Sequence, residues 1–281
     1  MARPNPCTKC GAQVRAQEKD CQTCGLFFGY PNVRAAEETE EVEALDKRFD
    51  DAKRKAQSTG KGSTFSAYEI ALEDSVAVIC RSLDQAKALL SSESAVYNSF
   101  YNQVSSGGRR AEVTDVETHR QVTDARMFPN YHKDVCFAGL SLDGRGVVSY
   151  GACSLVLKSN VIAHRATVFW ENTVDFCNRE CPDQKKPIPP GYRATWPRRA
   201  LLASVKAEPR LDPRPTLAQF PRILMDGDQF VEVHVFGPFT RESFDRLLIA
   251  KPATKIDRVM VAAIRDVIRK DGLAIKVEEY T

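Results

Sequence analysis

The chain has 281 residues, of which 43% are hydrophobic, and its 40 Lys and Arg residues against 37 Asp and Glu residues give a formal charge of +3. This length and hydrophobic fraction predict a globular protein with one sizeable core or two modest folding units. So small a net charge does not by itself argue for a nucleic-acid partner, and any basic site must be local.

The apolar runs are far shorter than the roughly 20 residues that cross a bilayer, which excludes a membrane-spanning helix. The first ten residues, MARPNPCTKC, lack the apolar run of a secretory signal. The nine cysteines are odd in number, and four of them lie in paired Cys-x-x-Cys motifs. We therefore expect a cytoplasmic protein that does not engage a membrane.

Two Cys-x-x-Cys-Gly motifs stand near the start of the chain, formed by Cys7 with Cys10 and by Cys21 with Cys24. Each motif offers two thiolates, and tetrahedral zinc takes four sulfurs at about 2.3 Å. The alternative is a redox dithiol or a disulfide pair, but paired motifs in a cytosolic chain favour a metal. We expect a structural zinc ribbon over residues 1–30 whose metal supplies its folding energy.

The next segment, residues 31–64, is predicted to form an amphipathic helix and a linker. Between Ala35 and Gln57 the apolar residues recur at steps of three and four, as a helix with one buried stripe requires. These residues are Val42, Leu45, Phe49 and Ala52. The sequence of Ser58–Thr64 is typical of a flexible connector, so we place a domain boundary there.

The remaining residues, 65–281, mix helical and strand-like patterns. The spacing of Ser66 and Glu69 is that of a capping box, and apolar residues follow at helical spacing as far as Leu90, which predicts a long opening helix. Further helices are expected at Arg198–Lys206, Arg241–Leu248 and Lys255–Arg269. Short β-type runs occupy Val135–Leu142, Gly151–Leu157, Ala166–Trp170 and Phe230–Phe236. The fold class is therefore α+β, with strands concentrated in the C-terminal half.

The run Phe230–Phe236 alternates valines with larger or polar residues. In a strand the three valines share one face, and Glu232 and His234 share the other with Phe230. That arrangement places a carboxylate and an imidazole about 7 Å apart along the strand, in front of any cleft that the sheet faces. The alternative is an edge strand whose polar face lies in water.

Three sequence features together resemble the ADP-ribosyltransferase fold of many bacterial toxins and effectors. They are a Tyr-Gly-plus-aliphatic strand at Ser149–Lys158, an Arg-Ala-Thr-x-aromatic strand ending in Glu-Asn-Thr at Arg165–Thr173, and the Phe-x-Glu-x-His-x-Phe-Gly-Pro run at Phe230–Pro238. The resemblance covers roughly Phe137 to Pro252. It implies a split β-sheet domain with helices that uses NAD as co-substrate.

The resemblance also implies roles for individual residues. Glu232 matches the single catalytic glutamate of the family's late strand, where a fixed carboxylate stabilises the cationic ribose formed as nicotinamide leaves. The remaining cofactor-binding candidates line the expected cleft, with Arg165 as a phosphate contact. They are Tyr150, Arg165, Thr167, Phe169 and His234.

The chain departs from the family pattern at two places. Many members carry Gln or Glu two residues before the catalytic glutamate, where this chain has Phe230, so a protein arginine is a less favoured acceptor. The family's first motif is an Arg or His on an early strand. His132 and Arg126 are the candidates, and we prefer His132, for which an ordinary surface position is the alternative.

The segment Gly191–Arg199 places two aromatic residues among three arginines. Bases stack on aromatic rings and phosphates pair with arginine, so the segment is a candidate nucleic-acid contact. The alternative is a loop-to-helix junction with Trp196 buried. The candidate residues are Tyr192, Arg193, Trp196, Arg198 and Arg199.

We expect a zinc ribbon and helix that carry or target an ADP-ribosyltransferase-like domain, residues 65–281. This domain is expected to transfer ADP-ribose from NAD to a macromolecule, and nucleic acid is favoured over protein as the acceptor. A toxin or phage-defence effector, with a neutralising partner, is the role that such an enzyme suggests by analogy of fold. Water as acceptor would make the protein an NAD glycohydrolase. The alternative from another class is a non-catalytic zinc-ribbon adaptor that binds nucleic acid or protein.

Overall fold

A computed structural model gives the structure of residues 5–105, 107, 114–183, 186–214, 216–227 and 229–280. The N-terminal ribbon has two short antiparallel strands, β1 (Asn5–Pro6) and β2 (Gln13–Val14). Its small core consists of Cys7, Val14 and Cys21, with few other apolar side chains around them. So small a core needs a further source of folding energy, which a metal ion held by the four cysteines would provide.

Three helices follow the ribbon: α1 (Pro31–Ala36), α2 (Thr39–Ser58) and α3 (Gly62–Leu72). The amphipathic helix expected from the sequence is α2. Its buried apolar residues, Leu45, Ala52 and Ala56, belong to the same hydrophobic core as the main sheet. Because α2 contributes to that core, it is an integral part of the main fold.

The expected flexible connector between α2 and α3 is a tight turn. The backbone N–H of Lys61 donates to the carbonyl of Ala56 at 2.7 Å, which ends α2, and α3 begins one residue later. Thr64 is buried, and its hydroxyl donates to the carbonyl of Pro213. The small residues of this segment therefore permit a compact helix–helix turn, and composition alone does not distinguish such a turn from a linker.

Within the described residues, eight strands form one hydrogen-bonded sheet in the order β10-β9-β5-β3-β4-β8-β6-β7. Every neighbouring pair is antiparallel except β9 and β10. The strands are β3 (Val76–Arg81), β4 (Val135–Ser141), β5 (Cys153–Leu157), β6 (Ala166–Phe169), β7 (Arg193–Thr195), β8 (Glu232–Phe236), β9 (Phe244–Ala250) and β10 (Lys276–Tyr280). The α+β class is confirmed, although hydrogen bonds connect all eight strands where a split sheet was expected.

The other helices cover both faces of this sheet. They are α4 (Leu83–Leu90), α5 (Phe100–Ser105), α6 (Thr114–Met127), α7 (Ser159–Ile162), α8 (Thr173–Glu180), α9 (Arg199–Ala207), α10 (Phe220–Leu224) and α11 (Lys255–Lys270). Residues of α2, α3, α4, α9 and α11 form the main core on one face. Residues of α6 and α8 form a second, smaller core on the face that carries Glu232 and His234.

Two of the predicted helices are wrong. The long opening helix divides into α3, the strand β3 and α4, and the expected capping box lies inside α3. The segment Arg241–Leu248 is a short 3-10 turn followed by β9. The central residues of β3 are buried on both faces, and a continuous apolar run of this length has no alternation that would separate a strand from a buried helix. In β9, Asp245 and Arg246 are partly buried and stand between buried apolar residues, so this run also lacks the alternation of a half-buried strand.

The predicted strands at Val135–Leu142, Gly151–Leu157, Ala166–Trp170 and Phe230–Phe236 are confirmed as β4, β5, β6 and β8. The helices expected at Arg198–Lys206 and Lys255–Arg269 are confirmed as α9 and α11. Among the helices of the described residues, none is long and apolar enough to span a bilayer.

Candidate active site

The strand β8 separates an apolar face from a polar one, as its alternation predicts. Val231, Val233 and Val235 are fully buried in the main core. Glu232 and His234 point to the opposite face and are also almost excluded from water, with exposed fractions of 3% and 2%. A buried carboxylate is costly unless other groups satisfy it, so its partners define the site.

Glu232 has two such partners. Its Oε2 lies 2.9 Å from Nε2 of His234 and accepts a hydrogen bond of 3.3 Å from the backbone N–H of Thr173. Thr173 is the first residue of α8, so the carboxylate lies at a helix N-terminus, where the backbone dipoles favour a negative charge. The carboxylate is therefore fixed from two directions.

Aromatic rings enclose the imidazole of His234. Phe128 and Phe137 contact it edge-on, at centroid distances of 4.9 and 5.2 Å, and Phe169 stacks on it at 5.7 Å. These rings come from the end of α6, from β4 and from β6. They leave His234 little rotational freedom, so its ring nitrogen is held toward Glu232.

A cleft opens on this face of the sheet and encloses ≈ 820 Å³ of space, including solvent at its mouth. Glu232 lines it, together with residues from β3, β4, α5 and α6 and from the segments that connect the elements. The charged and aromatic members of the lining are Arg81, Tyr97, Phe100, Arg120, Phe137, Tyr150, Phe230 and Glu232. The cleft lining thus combines one fixed carboxylate with two arginine residues and several aromatic residues.

Arg81 is the last residue of β3 and enters the cleft from the sheet itself. Its guanidinium lies 4.7 Å from the ring centroid of Tyr97 and donates to the Tyr97 hydroxyl and to the carbonyl of Cys80. Gly151, with a φ of +145°, passes so close to Arg81 that a Cβ there would lie 2.2 Å from its backbone carbon. Glycine is required at this crossing, which holds the Tyr150 loop against the cleft.

Arg120 reaches the cleft from α6 and lies over the rings of Phe100 and Phe137, 5.2 and 5.0 Å from their centroids. Its Nε is 3.5 Å from the carboxylate of Asp124, one helical turn later. Asp124 is fully buried and accepts a 2.7 Å hydrogen bond from the hydroxyl of Tyr101. Burial raises the pKa of Asp124, and the Arg120 guanidinium opposes that shift.

Three of the sequence-predicted residues come together with Glu232. In the β6–β8 pairing, Thr167 is opposite His234 and Phe169 is opposite Glu232, so their side chains share the face of the Glu232–His234 pair. Tyr150 lines the cleft and is half exposed, with its ring edge-on to Phe230. Of the three, Tyr150 belongs to the described cleft lining, whereas Thr167 and Phe169 are buried beside the Glu232–His234 pair and are not part of that lining.

The candidates for the early-strand motif lie elsewhere. His132 is in a 3-10 turn before β4, its ring is edge-on to Tyr101, and both ring nitrogens are buried without a hydrogen-bond partner among the described residues. Burial lowers the pKa of His132. Arg126 donates to the carbonyls of Cys181, Asp183 and Lys186 and so anchors a loop. Neither residue is part of the described cleft lining.

Arg165 is also engaged away from the cleft. Its guanidinium donates to the backbone carbonyls of Val161, Phe236 and Pro238, which places it at the end of β8 opposite to Glu232. The cleft arginines that sequence reasoning missed are Arg81 and Arg120. Arg81 directly follows a buried apolar run, whose lack of alternation does not distinguish a strand from a helix.

The candidate nucleic-acid segment is committed to internal contacts. Trp196 is buried in the main core, and Arg199 is buried and donates to Glu73, Ser75 and Trp196. Arg198 pairs with Asp46 of α2. The interpretation of this segment as an exposed contact for nucleic acid is therefore corrected, because its arginines pair within the fold.

The first part of the same segment docks against α2. Glu41 accepts from the backbone N–H of Gly191 at 2.7 Å and pairs with Nε of Arg193 at 2.8 Å. Gly191, with a φ of +82°, would place a Cβ 2.8 Å from the backbone of α2, so only glycine allows this close approach. The guanidinium of Arg48 stacks on Tyr192, 3.7 Å from its ring centroid. The segment therefore joins α2 to the sheet.

Lys206 of α9 bridges two strands near Glu232. Its ammonium group donates to the carbonyl of Trp170 at 2.6 Å and to that of Phe230 at 3.0 Å. Phe169 and Glu232 are the last partners in the β6–β8 pairing, and Trp170 and Phe230 lie just beyond them. Burial lowers the pKa of Lys206 to about 7, and the charges of Glu171 and Glu232 oppose the shift.

The four ribbon cysteines form a site that fits a metal ion. The Sγ atoms of Cys7 and Cys24 are 3.5 Å apart, those of Cys10 and Cys21 are 3.6 Å apart, and all four lie within 4.8 Å of one another. Four sulfurs at 2.3 Å from a tetrahedral zinc would be separated by about 3.8 Å. The donor set and spacing therefore suit structural zinc.

The chain matches no protein-family model and no curated protein.

Proposed function

We propose that the protein is an NAD-dependent ADP-ribosyltransferase whose catalytic residue is Glu232. The observation that carries the proposal is the buried carboxylate of Glu232, fixed by His234 and by the N-terminus of α8, at the wall of a cleft that also holds Arg81 and Arg120. An immobile, buried carboxylate at the wall of a cleft is suited to stabilising a positive charge that develops during a reaction.

In this reaction the bond between the ribose anomeric carbon and the nicotinamide nitrogen breaks, and nicotinamide leaves with the electron pair. Positive charge then develops on the ribose ring, and Glu232 stabilises it electrostatically. A nucleophile of the acceptor forms the new bond to the anomeric carbon and loses its proton. The aromatic lining of the cleft offers stacking surfaces for nicotinamide. Tyr150 lies on the solvent side of the cleft, and Phe137, a residue of β4, lies on the side of the sheet.

The two cleft arginines suit the diphosphate of NAD. Guanidinium groups bind phosphate oxygens by paired hydrogen bonds and keep their charge at all physiological pH values. Arg81 is held by Tyr97, and Arg120 is held by Asp124 and by two aromatic rings, so both arrive in a fixed position. In this proposal Arg81, at the end of β3, takes the role for which His132 was the sequence-based candidate.

For the acceptor we propose a nucleic acid in preference to a protein arginine, because Phe230 stands where many enzymes of this kind carry Gln or Glu. Phe230 lines the cleft beside the half-exposed Tyr150, and exposed aromatic rings are stacking surfaces for bases. A toxin or phage-defence role with a neutralising partner is the biological setting that the resemblance suggests.

The test is to incubate the purified protein with labelled NAD and with DNA, RNA and lysate protein, beside Glu232→Gln as the matched control. Label that moves to one fraction and is lost in the control would support the enzyme and identify its acceptor class. Nicotinamide release without labelled macromolecule would indicate an NAD glycohydrolase. If neither occurs, the proposal fails, and an adaptor role with salt-sensitive nucleic-acid binding takes its place.

A further inference from the structure

Asn32, in the short helix α1, connects the N-terminal part of the chain to the strand that carries Glu232. Its side-chain amide Nδ2 donates to the backbone carbonyl of Arg165 at 3.0 Å and to that of His234 at 3.2 Å. Asn32 is only 2% exposed, so water does not replace these bonds. The carbonyl of Arg165 also accepts from the N–H of Phe236, so one buried amide joins both strands at the end of the β6–β8 pairing.

The same helix is attached to the metal ribbon. Arg34, two residues after Asn32, donates to ribbon carbonyls of Ala16 at 2.6 Å, Glu18 at 2.9 Å and Gly29 at 2.9 Å. A guanidinium that satisfies several carbonyls at once is a strong and directional anchor. The position of α1 is therefore set by the fold of the ribbon.

An aromatic contact supports this attachment. The ring of Tyr30, directly before α1, packs edge-on against Phe27 of the ribbon at 5.4 Å and also contacts His164 and Phe236. Phe236 is the last residue of β8. Ribbon, α1 and β8 thus form one continuous set of contacts, from ribbon residues such as Ala16 and Phe27 to the strand of Glu232.

We propose that Asn32 is a positioning residue through which the metal-bound ribbon fixes the Glu232–His234 pair. The carbonyl that Asn32 holds belongs to His234 itself, and the imidazole of that residue holds the carboxylate of Glu232 at 2.9 Å. A displacement of this carbonyl moves the imidazole of the same residue. Because three aromatic side chains pack closely around the imidazole, such a movement changes its contacts with them. The ribbon depends on its metal for folding, so metal occupancy is transmitted along the same contacts.

The first measurement is independent of any NAD chemistry. The chain has four histidines, so ¹³Cε1-histidine NMR gives few signals, and the signal lost in His234→Gln identifies His234. Removal of the metal from the wild-type protein by a chelator is expected to shift the His234 signal, and added zinc is expected to restore it. An unchanged His234 signal in protein shown to be metal-free would overturn the proposal.

The second measurement uses variants. Asn32→Asp keeps the shape of the side chain but replaces the donating amide with an accepting carboxylate, and Asn32→Ala removes both bonds. Each is expected to keep one zinc per chain while shifting the His234 signal. Arg34→Met, which releases the ribbon carbonyls but keeps Asn32, is expected to shift it in the same direction. Asn160→Ala, at an exposed position of α7, is the matched control and is expected to change neither.

The activity prediction rests on the proposed function and is separable from it. Two lost hydrogen bonds at about 1 kcal/mol each correspond to about a 30-fold loss of rate, so Asn32→Ala is expected to lower kcat by about that factor with a smaller change in KM. If the Asn32 variants lose their zinc, Asn32 belongs to the folding of the ribbon and the proposal is overturned. If Glu232→Gln is inactive but the Asn32 variants keep both full activity and the wild-type His234 signal, this inference fails while the proposed function stands.

Discussion

The imidazole Nε2 of His234 lies 2.9 Å from the carboxylate Oε2 of Glu232, and both side chains are buried. A strand places residues i and i+2 about 7 Å apart, so the two side chains must lean toward each other to make this contact. The aromatic rings around His234 impose that orientation, and the backbone N–H of Thr173 fixes the other side of Glu232.

Replacing His234 with Phe keeps an aromatic ring in the aromatic enclosure but removes the contact to Glu232. A hydrogen bond to a charged group contributes about 1.5–3 kcal/mol, so we expect kcat to fall about 10- to 100-fold. Steady-state kinetics with NAD would measure the loss, and thermal unfolding would check that the variant is folded. Wild-type kcat in a folded His234→Phe protein would show that Glu232 does not need this partner.

Replacing Arg81 or Arg120 with Met is expected to weaken NAD binding more than turnover. Loss of one charge-assisted phosphate contact corresponds to a rise in KM of about ten-fold or more, with a smaller change in kcat. Arg258→Met, on the exposed surface of α11, is the matched control. If KM for NAD stays constant in both cleft variants, the diphosphate does not bind at these residues.

The ion pair between Glu41 and Arg193 is expected to stabilise the fold by joining α2 to the sheet. Removing one partner of a buried pair leaves a charge unpaired, and such changes cost about 3–5 kcal/mol. We expect Glu41→Gln to lower the free energy of unfolding by an amount near the lower end of that range, since Gln still accepts from Gly191. Urea unfolding would measure it, with the exposed Glu43→Gln as control. Equal stability of the two variants would show that α2 is only loosely attached.

The ribbon is expected to hold one zinc ion per chain, and Cys21→Ser is expected to lose it. Because the ribbon core is small, this variant should also melt at a lower temperature than the wild type. Elemental analysis and calorimetry would measure both quantities. Cys177→Ala, at a buried cysteine outside the ribbon, serves as control and should keep its zinc. Full zinc content in Cys21→Ser would refute the assignment of the four ligands.

Lys206 predicts a pH dependence of stability. Its pKa is lowered from 10.5 to about 7 in the folded protein, so between these values the unfolded chain binds the proton more tightly. The free energy of unfolding therefore rises as the pH rises from 7 to 10.5, by up to about 1.4 kcal/mol per pH unit. The stability gained in this way is lost again as the pH falls back to 7. Lys206→Met should remove that slope in urea unfolding between pH 7 and 10. Parallel curves for the two proteins would contradict the lowered pKa.

Several features followed from the sequence because they depend on residues that are close together in the chain. The two Cys-x-x-Cys motifs bring their sulfurs into one cluster, and the alternation of Phe230–Phe236 places Glu232 opposite three buried valines. The periodicity of α11 was equally clear, because only one side of that helix is buried. In each case a local repeat carries the information.

Other features were decided only by the tertiary structure. The run Val76–Arg81 has no alternation because both sides of β3 are buried, so neither the strand nor the position of Arg81 could be obtained from its pattern. The arginines of Tyr192–Arg199 resembled an exposed basic segment until α2 supplied Glu41 and Asp46 as partners from about 150 residues away. The sequence by itself determined the cluster of four cysteines and the two faces of β8. Contacts between distant segments decided which charged side chains line the cleft and which are paired within the fold. The reason is that ion pairing depends on distance in space and not on distance along the chain.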